Sequence, residues 1–194
     1  LKEQGQRAAV SEIRSDMREL NGLIMGKMAE RGLECSSHPP SDWATGIGPR
    51  FSGDVSIFER KPSDPIPVTF GDVVDTDDES RFGILSGDDL MLRLSTELEV
   101  THSIFLIGDS EGVLTGPPDE NGSELITHLG PNTKINRRHE VDIDVTGGIG
   151  LKIDRALEIA KIVGEVWIID GREPDRVLEL LTSGETIGTK ILNG

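Results

Sequence analysis

The sequence predicts an α/β fold with a mainly parallel sheet flanked by helices. Segments with helical periodicity alternate with short apolar segments of strand length through most of the 194 residues. Residues 103–107 form a short apolar run, which is typical of a buried strand in a parallel sheet. A chain of this length can bury a substantial core, so we expect a single domain over residues 1–194.

The first half of the chain predicts one long helix and several short strands. Apolar side chains recur every three or four positions over residues 10–31, which predicts an amphipathic helix that ends near Gly32. The acidic run at 75–79 lacks the spacing of a calcium-binding EF-hand loop and predicts a solvated hairpin turn. The other elements expected in this half are a short strand at 33–37, a turn at 39–41, an irregular segment at 42–65 and an interrupted strand at 66–74.

In the second half, helical and strand patterns alternate more regularly. Apolar residues at 82–85 precede a helix expected over 90–98, with Ser86 or Asp88 near its N-cap. The elements expected after it are the strand at 103–107, a polar stretch at 115–136, a helix at 153–163, a strand at 166–169, a helix at 175–181 and a final strand or turn at 187–191.

Composition narrows the classes of function. The formal net charge of -15 argues against a nucleic-acid-binding surface, which needs a basic patch. No apolar run approaches the roughly 20 residues that a membrane-spanning helix needs. The single cysteine, Cys35, excludes an internal disulfide framework and a multi-cysteine metal site. We therefore expect a cytoplasmic protein.

Residues 144–152, Asp-Val-Thr-Gly-Gly-Ile-Gly-Leu-Lys, have the composition of a phosphate-binding turn at the start of a helix. Glycines leave backbone N–H groups uncovered, and the first helical turn adds unpaired N–H groups and the positive end of the helix dipole. Lys152 adds a positive charge on a long stem. Because Ile153 follows Lys152, the spacing differs from a Walker A loop, and a plain glycine-rich turn remains an alternative.

Three polar loops, at 86–89, 108–112 and 146–152, are expected to lie together. Sheets of this class bind ligands outside the carboxyl ends of their strands, and each loop is adjacent to a predicted strand end or helix start. Together they would surround a phosphate ester with backbone N–H groups, carboxylates and a lysine. A strongly acidic protein needs such local donors because its overall field repels phosphates.

The order of these motifs resembles that of the amino acid kinase superfamily and, within it, the isopentenyl phosphate kinase family. The matching segments are, in chain order, a mid-chain helix at 11–21, Gly71-Asp72-Val73, Ile84-Leu85-Ser86-Gly87-Asp88-Asp89, the loop 109–112, residues 144–152 and Ile187-Gly188-Thr189. The resemblance implies a three-layer αβα sandwich. It also implies phosphorylation of isopentenyl phosphate to isopentenyl diphosphate with ATP and Mg²⁺, in an archaeal-type mevalonate pathway. The enzyme would be a homodimer without nucleic-acid or membrane partners.

The resemblance also implies roles for individual residues. Asp88 and Lys152 would be catalytic, Asp88 by orienting phosphate-binding lysines and Lys152 by contacting the transferred phosphoryl group. The residues implied at the nucleotide are Asp109, Gly112, Gly147, Gly148 and Lys152, and those implied at the acceptor are Gly71, Ser86 and Gly87. Phosphoryl transfer needs alignment and charge neutralisation more than covalent chemistry, so this set is chemically coherent.

Two features depart from the family pattern. Glu111 replaces an aspartate of the family's acidic loop, which leaves open whether it serves the turn or the nucleotide. The family's Lys-x-Gly-Gly-Ser loop and its His-Gly-Gly-Gly-x-Phe-Gly-His loop do not occur in these 194 residues. We therefore expect a fold truncated at its N-terminus, either as a fragment of a longer protein or as a shortened homologue.

Other interpretations remain open at this point. Within the superfamily, a carbamate, fosfomycin or uridylate kinase is the nearest alternative, and a nucleotide-binding module without catalysis is another. The aromatic residues between Trp43 and Phe58 either line a pocket for the prenyl tail or pack beneath an irregular loop.

Overall fold

The computed structural model confirms an α/β protein with parallel strand pairing and flanking helices. The structure describes residues 2–118, 121–133 and 148–194. The chain divides into two compact units, Leu1–Leu98 and Glu99–Gly194, which are described separately below. A single domain over residues 1–194 stays a prediction.

Unit 1 contains one long helix, two shorter ones and six short strands. In chain order they are α1 (Lys2–Ala29), β1 (Cys35–Ser37), α2 (Pro40–Trp43), β2 (Ala44–Thr45), β3 (Ser52–Gly53), β4 (Ile66–Val68), β5 (Asp72–Asp75), β6 (Phe82–Leu85) and α3 (Gly87–Glu97), with a 3₁₀ turn at Val55–Phe58 before β4. The predicted helices and the interrupted strand are therefore confirmed, and the apolar residues at 82–85, for which no element was predicted, form β6. The predicted turn at 39–41 is present, with the Asp42 N–H donating to the Pro39 carbonyl at 3.0 Å, and it continues into α2, where the missing N–H of Pro40 costs no helical hydrogen bond.

A four-stranded mixed sheet forms the centre of unit 1, in the order β3-β2-β5-β6. β2 and β5 are parallel, whereas β5 and β6 form an antiparallel hairpin in which Asp72 is opposite Leu85. The acidic turn between them is the predicted hairpin turn, with Arg81 at φ 63°. The core beneath the sheet consists of Ala44, Phe51, Val74, Leu85 and Leu90, with Trp43 packed against it.

The aromatic residues of unit 1 favour packing over the predicted pocket for a prenyl tail. Phe51 and Phe58 are only 3% and 6% exposed. The Trp43 ring lies edge-on to both, with centroid distances of 5.7 Å and 5.1 Å. Their side chains are thus occupied with one another.

Helix α1 is longer than predicted and keeps much of its apolar face in solvent. Val10 is buried, and the helix contacts β1 and β5. Apolar side chains that remain at least two-fifths exposed are Ile13, Leu20, Leu23 and Ile24. The amphipathic pattern predicted the helix correctly, although only part of the apolar stripe is covered.

Unit 2 is built on a second sheet, which has four strands among the residues that the structure describes. Its elements are β7 (His102–Ile107), β8 (His128–Leu129), α4 (Gly148–Ile159), β9 (Glu165–Asp170), α5 (Asp175–Ser183) and β10 (Thr189–Ile191), and the strand order is β7-β9-β10-β8. β7 and β9 are parallel and end together, with Ile107 opposite Asp170. β10 is antiparallel to β9 and parallel to β8. The polar stretch at 115–136 therefore contains a strand that its composition did not predict.

Helices cover both faces of this sheet. Trp167, Ile169 and Ile104 pack with Leu180 of α5 on one face. Because successive side chains of a strand alternate between faces, Phe105 points to the other face, where α4 contacts β7 and β9. Since α4 leads into β9, it runs opposite to the parallel strands, and its first turn lies towards their carboxyl ends.

Candidate active site

The start of α3 is fixed by a cap made within its own first turn. The Ser86 hydroxyl accepts a hydrogen bond from the Asp89 backbone N–H at 3.1 Å and donates one to the Asp89 carboxylate at 3.0 Å. Both residues are buried. This closed pair confirms Ser86, rather than Asp88, as the N-cap.

Gly71 lies directly against this helix start. A Cβ atom on Gly71 would be 3.3 Å from the Gly87 backbone nitrogen and 3.4 Å from the Leu85 carbonyl oxygen. The connection between β4 and β5 can pass this closely only because residue 71 has no side chain. The structure thus brings together Gly71, Ser86 and Gly87, the three residues predicted at the acceptor phosphate.

A further polar group beside Gly71 was missed by the sequence analysis. The Thr69 hydroxyl is buried and has no hydrogen-bond partner among the described residues. Buried hydroxyls are normally paired, so the unpaired Thr69 hydroxyl, two residues before Gly71, is a polar group that the fold itself does not use. The only sequence signal was a threonine two residues before the Gly-Asp-Val motif.

Asp88 follows the cap in the first turn of α3 and is half-buried. Asp89 is used by the cap, so the two neighbouring acids have different surroundings. Asp88 belongs to unit 1 and Lys152 to unit 2. Their shared role at one phosphoryl group stays a prediction.

In unit 2, Lys152 lies in the first turns of α4, as the glycine-rich motif predicted. Its ammonium group is 5.4 Å from the centre of the Phe105 ring, within the range of a cation–π contact. Gly148 begins the helix with φ 51°, a value that favours glycine. The predicted site residue Gly147 and the rest of 144–147 lie outside the described residues.

Residues 109–112, here called the acidic loop, follow β7. Asp109 is exposed, and the Ser110 hydroxyl donates to the Gly112 carbonyl at 2.7 Å. Glu111 accepts a hydrogen bond from the Arg176 guanidinium at 3.2 Å. Glu111 thus contacts α5, and whether it also serves the nucleotide stays a prediction.

A charged pair at the end of β9 was also missed. The buried carboxylate of Asp170 accepts hydrogen bonds from the Arg172 backbone N–H at 2.9 Å and from its guanidinium at 2.7 Å. These bonds lower the pKa of Asp170 to about 2. The signal in the sequence was an acid that ends an apolar strand two residues before an arginine.

Two negative observations concern only the described ranges 2–118, 121–133 and 148–194. No helix in them is long and apolar enough to cross a membrane. No group of three or more His, Cys, Asp or Glu side chains in them could hold a metal ion.

The fold and these loops define the class of protein. The profile of the amino acid kinase family matches residues 14–170, and the chain belongs to that family. Within the family, the chain is similar to isopentenyl phosphate kinases.

Three curated relatives are isopentenyl phosphate kinases from archaea. The protein of Thermoplasma acidophilum is 30% identical over 169 residues, which are 86% of this chain and 66% of the relative. That of Methanothermobacter thermautotrophicus is 28% identical over 180 residues, or 90% and 67% of the two chains. That of Methanocaldococcus jannaschii is 29% identical over 187 residues, or 93% and 66%. The chain spans about two thirds of the length of these relatives.

Solved structures give the same result. An isopentenyl phosphate kinase X-ray structure aligns with a TM-score of 0.79 at 25% identity, covering 95% of this chain and 70% of that chain. The product complex of the T. acidophilum kinase aligns with a TM-score of 0.75 at 26% identity, covering 95% and 71%. The predicted resemblance and the amino acid kinase fold are confirmed.

Proposed function

We propose that this chain carries the phosphoryl-transfer machinery of an isopentenyl phosphate kinase, which converts isopentenyl phosphate and ATP into isopentenyl diphosphate and ADP. The names of the relatives and the near-complete coverage of this chain by their alignments support the substrate class. In this proposal the reaction belongs to an archaeal-type mevalonate pathway in the cytoplasm. Homodimer formation, which the family resemblance implies, stays a prediction.

The observation that carries the proposal is the start of α3. Its cap uses the Ser86 hydroxyl and the Asp89 N–H, while a Cβ on Gly87 would meet nothing within 4 Å. The N-terminal N–H groups of an α-helix have no partner within the helix, and they attract anions. The start of α3 therefore offers backbone donors and, at Gly87, open space to a phosphate monoester.

The residues of unit 2 fit the phosphates of a nucleotide. The first turn of α4 provides backbone donors next to Gly148, and Lys152 provides a positive charge at the same end of the helix. Mg²⁺ usually keeps several waters and binds through one or two carboxylates and the substrate phosphates. The exposed carboxylate of Asp109 suits that mode, which needs no cluster of protein ligands.

Each residue then has a defined task. ATP supplies the γ-phosphoryl group when it is bound. Lys152 neutralises the charge that spreads over the transferred oxygens, and the α3 N–H groups orient the acceptor phosphate. Asp88 would fix the direction of the cationic side chains around them. Positioning and charge stabilisation account for most of the rate enhancement in such transfers.

The test is turnover of a panel of phosphate monoesters with MgATP, followed by ³¹P NMR. We expect a diphosphate signal from isopentenyl phosphate that the Lys152→Ala variant loses. Turnover of UMP without turnover of isopentenyl phosphate would reassign the chain to the uridylate kinases. Binding of MgATP in a calorimeter without turnover of any acceptor would indicate a non-catalytic nucleotide-binding module.

A further inference from the structure

The acidic loop, residues 109–112, begins where two parallel strands end side by side. Ile107 of β7 is opposite Asp170 of β9. The Gly171 N–H, just beyond β9, donates to the Ile107 carbonyl at 2.7 Å. A Cβ on Gly171 would lie 3.1 Å from the Leu106 Cβ, so the segments after β7 and β9 pack closely at this point. The first end of the loop is thus fixed to the neighbouring strand.

The other end of the loop is held by Thr189 of β10. Its hydroxyl accepts a hydrogen bond from the Val113 N–H at 2.8 Å and donates one to the Ile126 carbonyl at 2.7 Å. Thr189 is 0% exposed, so no water competes for these bonds. A buried hydroxyl that both accepts and donates fixes the two backbone segments it joins.

Gly112 makes this contact possible. A Cβ on Gly112 would lie 2.6 Å from the Thr189 hydroxyl oxygen, closer than real Cβ atoms come, and 3.0 Å from the Thr189 backbone nitrogen. On the β9 side, a Cβ on Gly188 would lie 2.9 Å from the Ile168 carbonyl oxygen. The Gly188-Thr189 pair therefore fits tightly between β9 and the loop.

A second contact that fixes the acidic loop comes from α5. Arg176 donates to the Glu111 carboxylate at 3.2 Å, and its side chain is 16% exposed whereas that of Glu111 is 55% exposed. The positive charge of Arg176 also contributes to the low pKa of Asp170, behind the larger effect of the Arg172 hydrogen bonds. Arg176 therefore links the end of β9 to the loop that follows β7.

These contacts give the two acidic residues of the loop different surroundings. Glu111 is used to hold the loop, while Asp109 is exposed and its carboxylate is 3.4 Å from the Ser110 hydroxyl. The loop is fixed on both sides of Asp109, at Ile107 and at Val113. Its shape is therefore set before any ligand arrives.

We propose that Thr189 and Arg176 are positioning residues for the nucleotide. They fix the acidic loop, through Val113 and Glu111 respectively, so that Asp109 is held at the carboxyl edge of the sheet where MgATP binds. The inference rests on the proposed kinase function. It gives a task to the Ile-Gly-Thr motif, which that function left without one.

The main experiment compares Thr189→Val, which keeps the shape, with Thr189→Ser, which keeps the hydroxyl. Loss of the hydroxyl should raise the Kd for MgATP about tenfold, since it removes two buried hydrogen bonds that order the loop. Thr189→Ser should bind within about twofold of wild type. Hydrogen exchange of the Val113 amide should accelerate in the valine variant alone, and the KM for isopentenyl phosphate should stay constant in both.

A second pair of variants tests the Arg176–Glu111 ion pair, which can be broken without changing the buried Thr189. Arg176→Gln should raise the Kd for MgATP about two- to threefold, because an ion pair whose carboxylate is largely exposed contributes little. Adding Glu111→Gln to Arg176→Gln should raise the Kd for MgATP little further, because the ion pair is already broken. Lys27→Gln is the control, because Lys27 of α1 pairs with Glu30 at 2.9 Å and lies in unit 1. It should bind MgATP like wild type.

The outcomes separate this inference from the proposed function. If wild type binds MgATP and Thr189→Val binds it as tightly as Thr189→Ser, the positioning role of Thr189 is wrong and the kinase proposal stands. Additive effects of Arg176→Gln and Glu111→Gln would overturn the role of Arg176 in the same way. If wild type does not bind MgATP, the kinase proposal fails and the positioning role fails with it.

Discussion

The start of α3 and the acidic loop are both proposed to face phosphates, yet they are held in different ways. At α3 the hydrogen bonds join Ser86 to Asp89, three residues apart. The acidic loop is held by Arg176, 65 residues after its partner, and by Thr189, 76 residues after Val113. One site is thus shaped by a single helical turn, and the other by the whole sheet of unit 2.

The largest effect on kcat should come from removing the charge of Lys152, rather than from the contacts that fix α3 or the acidic loop. Lys152→Ala should lower kcat by about 100-fold or more, as expected when one group that stabilises transition-state charge is removed. The control is Lys161→Ala, which removes an exposed lysine just after the same helix and should leave kcat unchanged. Equal rates for the two variants would exclude Lys152 from the reaction and leave only backbone donors.

The next effect contrasts one glycine from each site. Gly112→Ala should lower the free energy of unfolding by about 1–3 kcal/mol, because its Cβ would overlap the Thr189 hydroxyl and Leu125. Gly87→Ala should change it by less than about 1 kcal/mol, because nothing lies within 4 Å of that Cβ. Urea unfolding of both variants decides the point, and equal losses would contradict the difference between the two sites.

A smaller effect should follow from opening the local cap. Ser86→Ala should lower the free energy of unfolding by about 1 kcal/mol, the usual contribution of an N-cap. Ser86→Thr keeps a hydroxyl and should retain most of that stability. If the Ser86→Ala and Ser86→Thr variants unfold at the same urea concentration, the cap contributes no stability. The start of α3 is then not fixed by the Ser86–Asp89 hydrogen bonds.

The smallest effect concerns pH. The pKa of Asp170 is lowered to about 2 from 3.8 by the Arg172 hydrogen bonds, so folding favours its charged form. That stabilisation is complete above about pH 5 and is lost as the pH falls towards 2. The stability difference between wild type and Asp170→Asn should therefore shrink over this range in urea titrations. Glu185→Gln, at an exposed carboxylate of the same unit, serves as the control. A constant difference for Asp170→Asn would argue against the low pKa.

The same contrast explains what the sequence could and could not predict. The Ser86 cap, the apolar strand β7 and the amphipathic α1 follow from short-range patterns, and each was predicted. Strand β8 is only two residues long, and its pairing partner lies far along the chain, so no local pattern marked it. Helix α2 was missed because Pro40 permits either a turn or a first helical residue.

For the candidate site, sequence motifs indicated residue types but not their contacts. Gly71, Ser86 and Gly87 were expected together, and the structure places them in contact. The Glu111–Arg176 and Val113–Thr189 contacts depend on the order of strands in the sheet, which periodicity does not reveal. The convergence of the three polar loops on one nucleotide stays a prediction.

The central position of β10 in the sheet of unit 2 bears on how the protein is made. β10 is the latest of the four strands in the chain, yet it lies between β9 and β8. Thr189 is 76 residues after Val113, and at typical translation speeds a stretch of that length takes roughly 4–15 s to synthesise. During that interval the nascent polypeptide exposes unpaired strand edges, which favour chaperone binding and misassociation. Ribosomal pausing just before residue 189 would therefore prolong the time during which β8 and β9 lack the strand that lies between them.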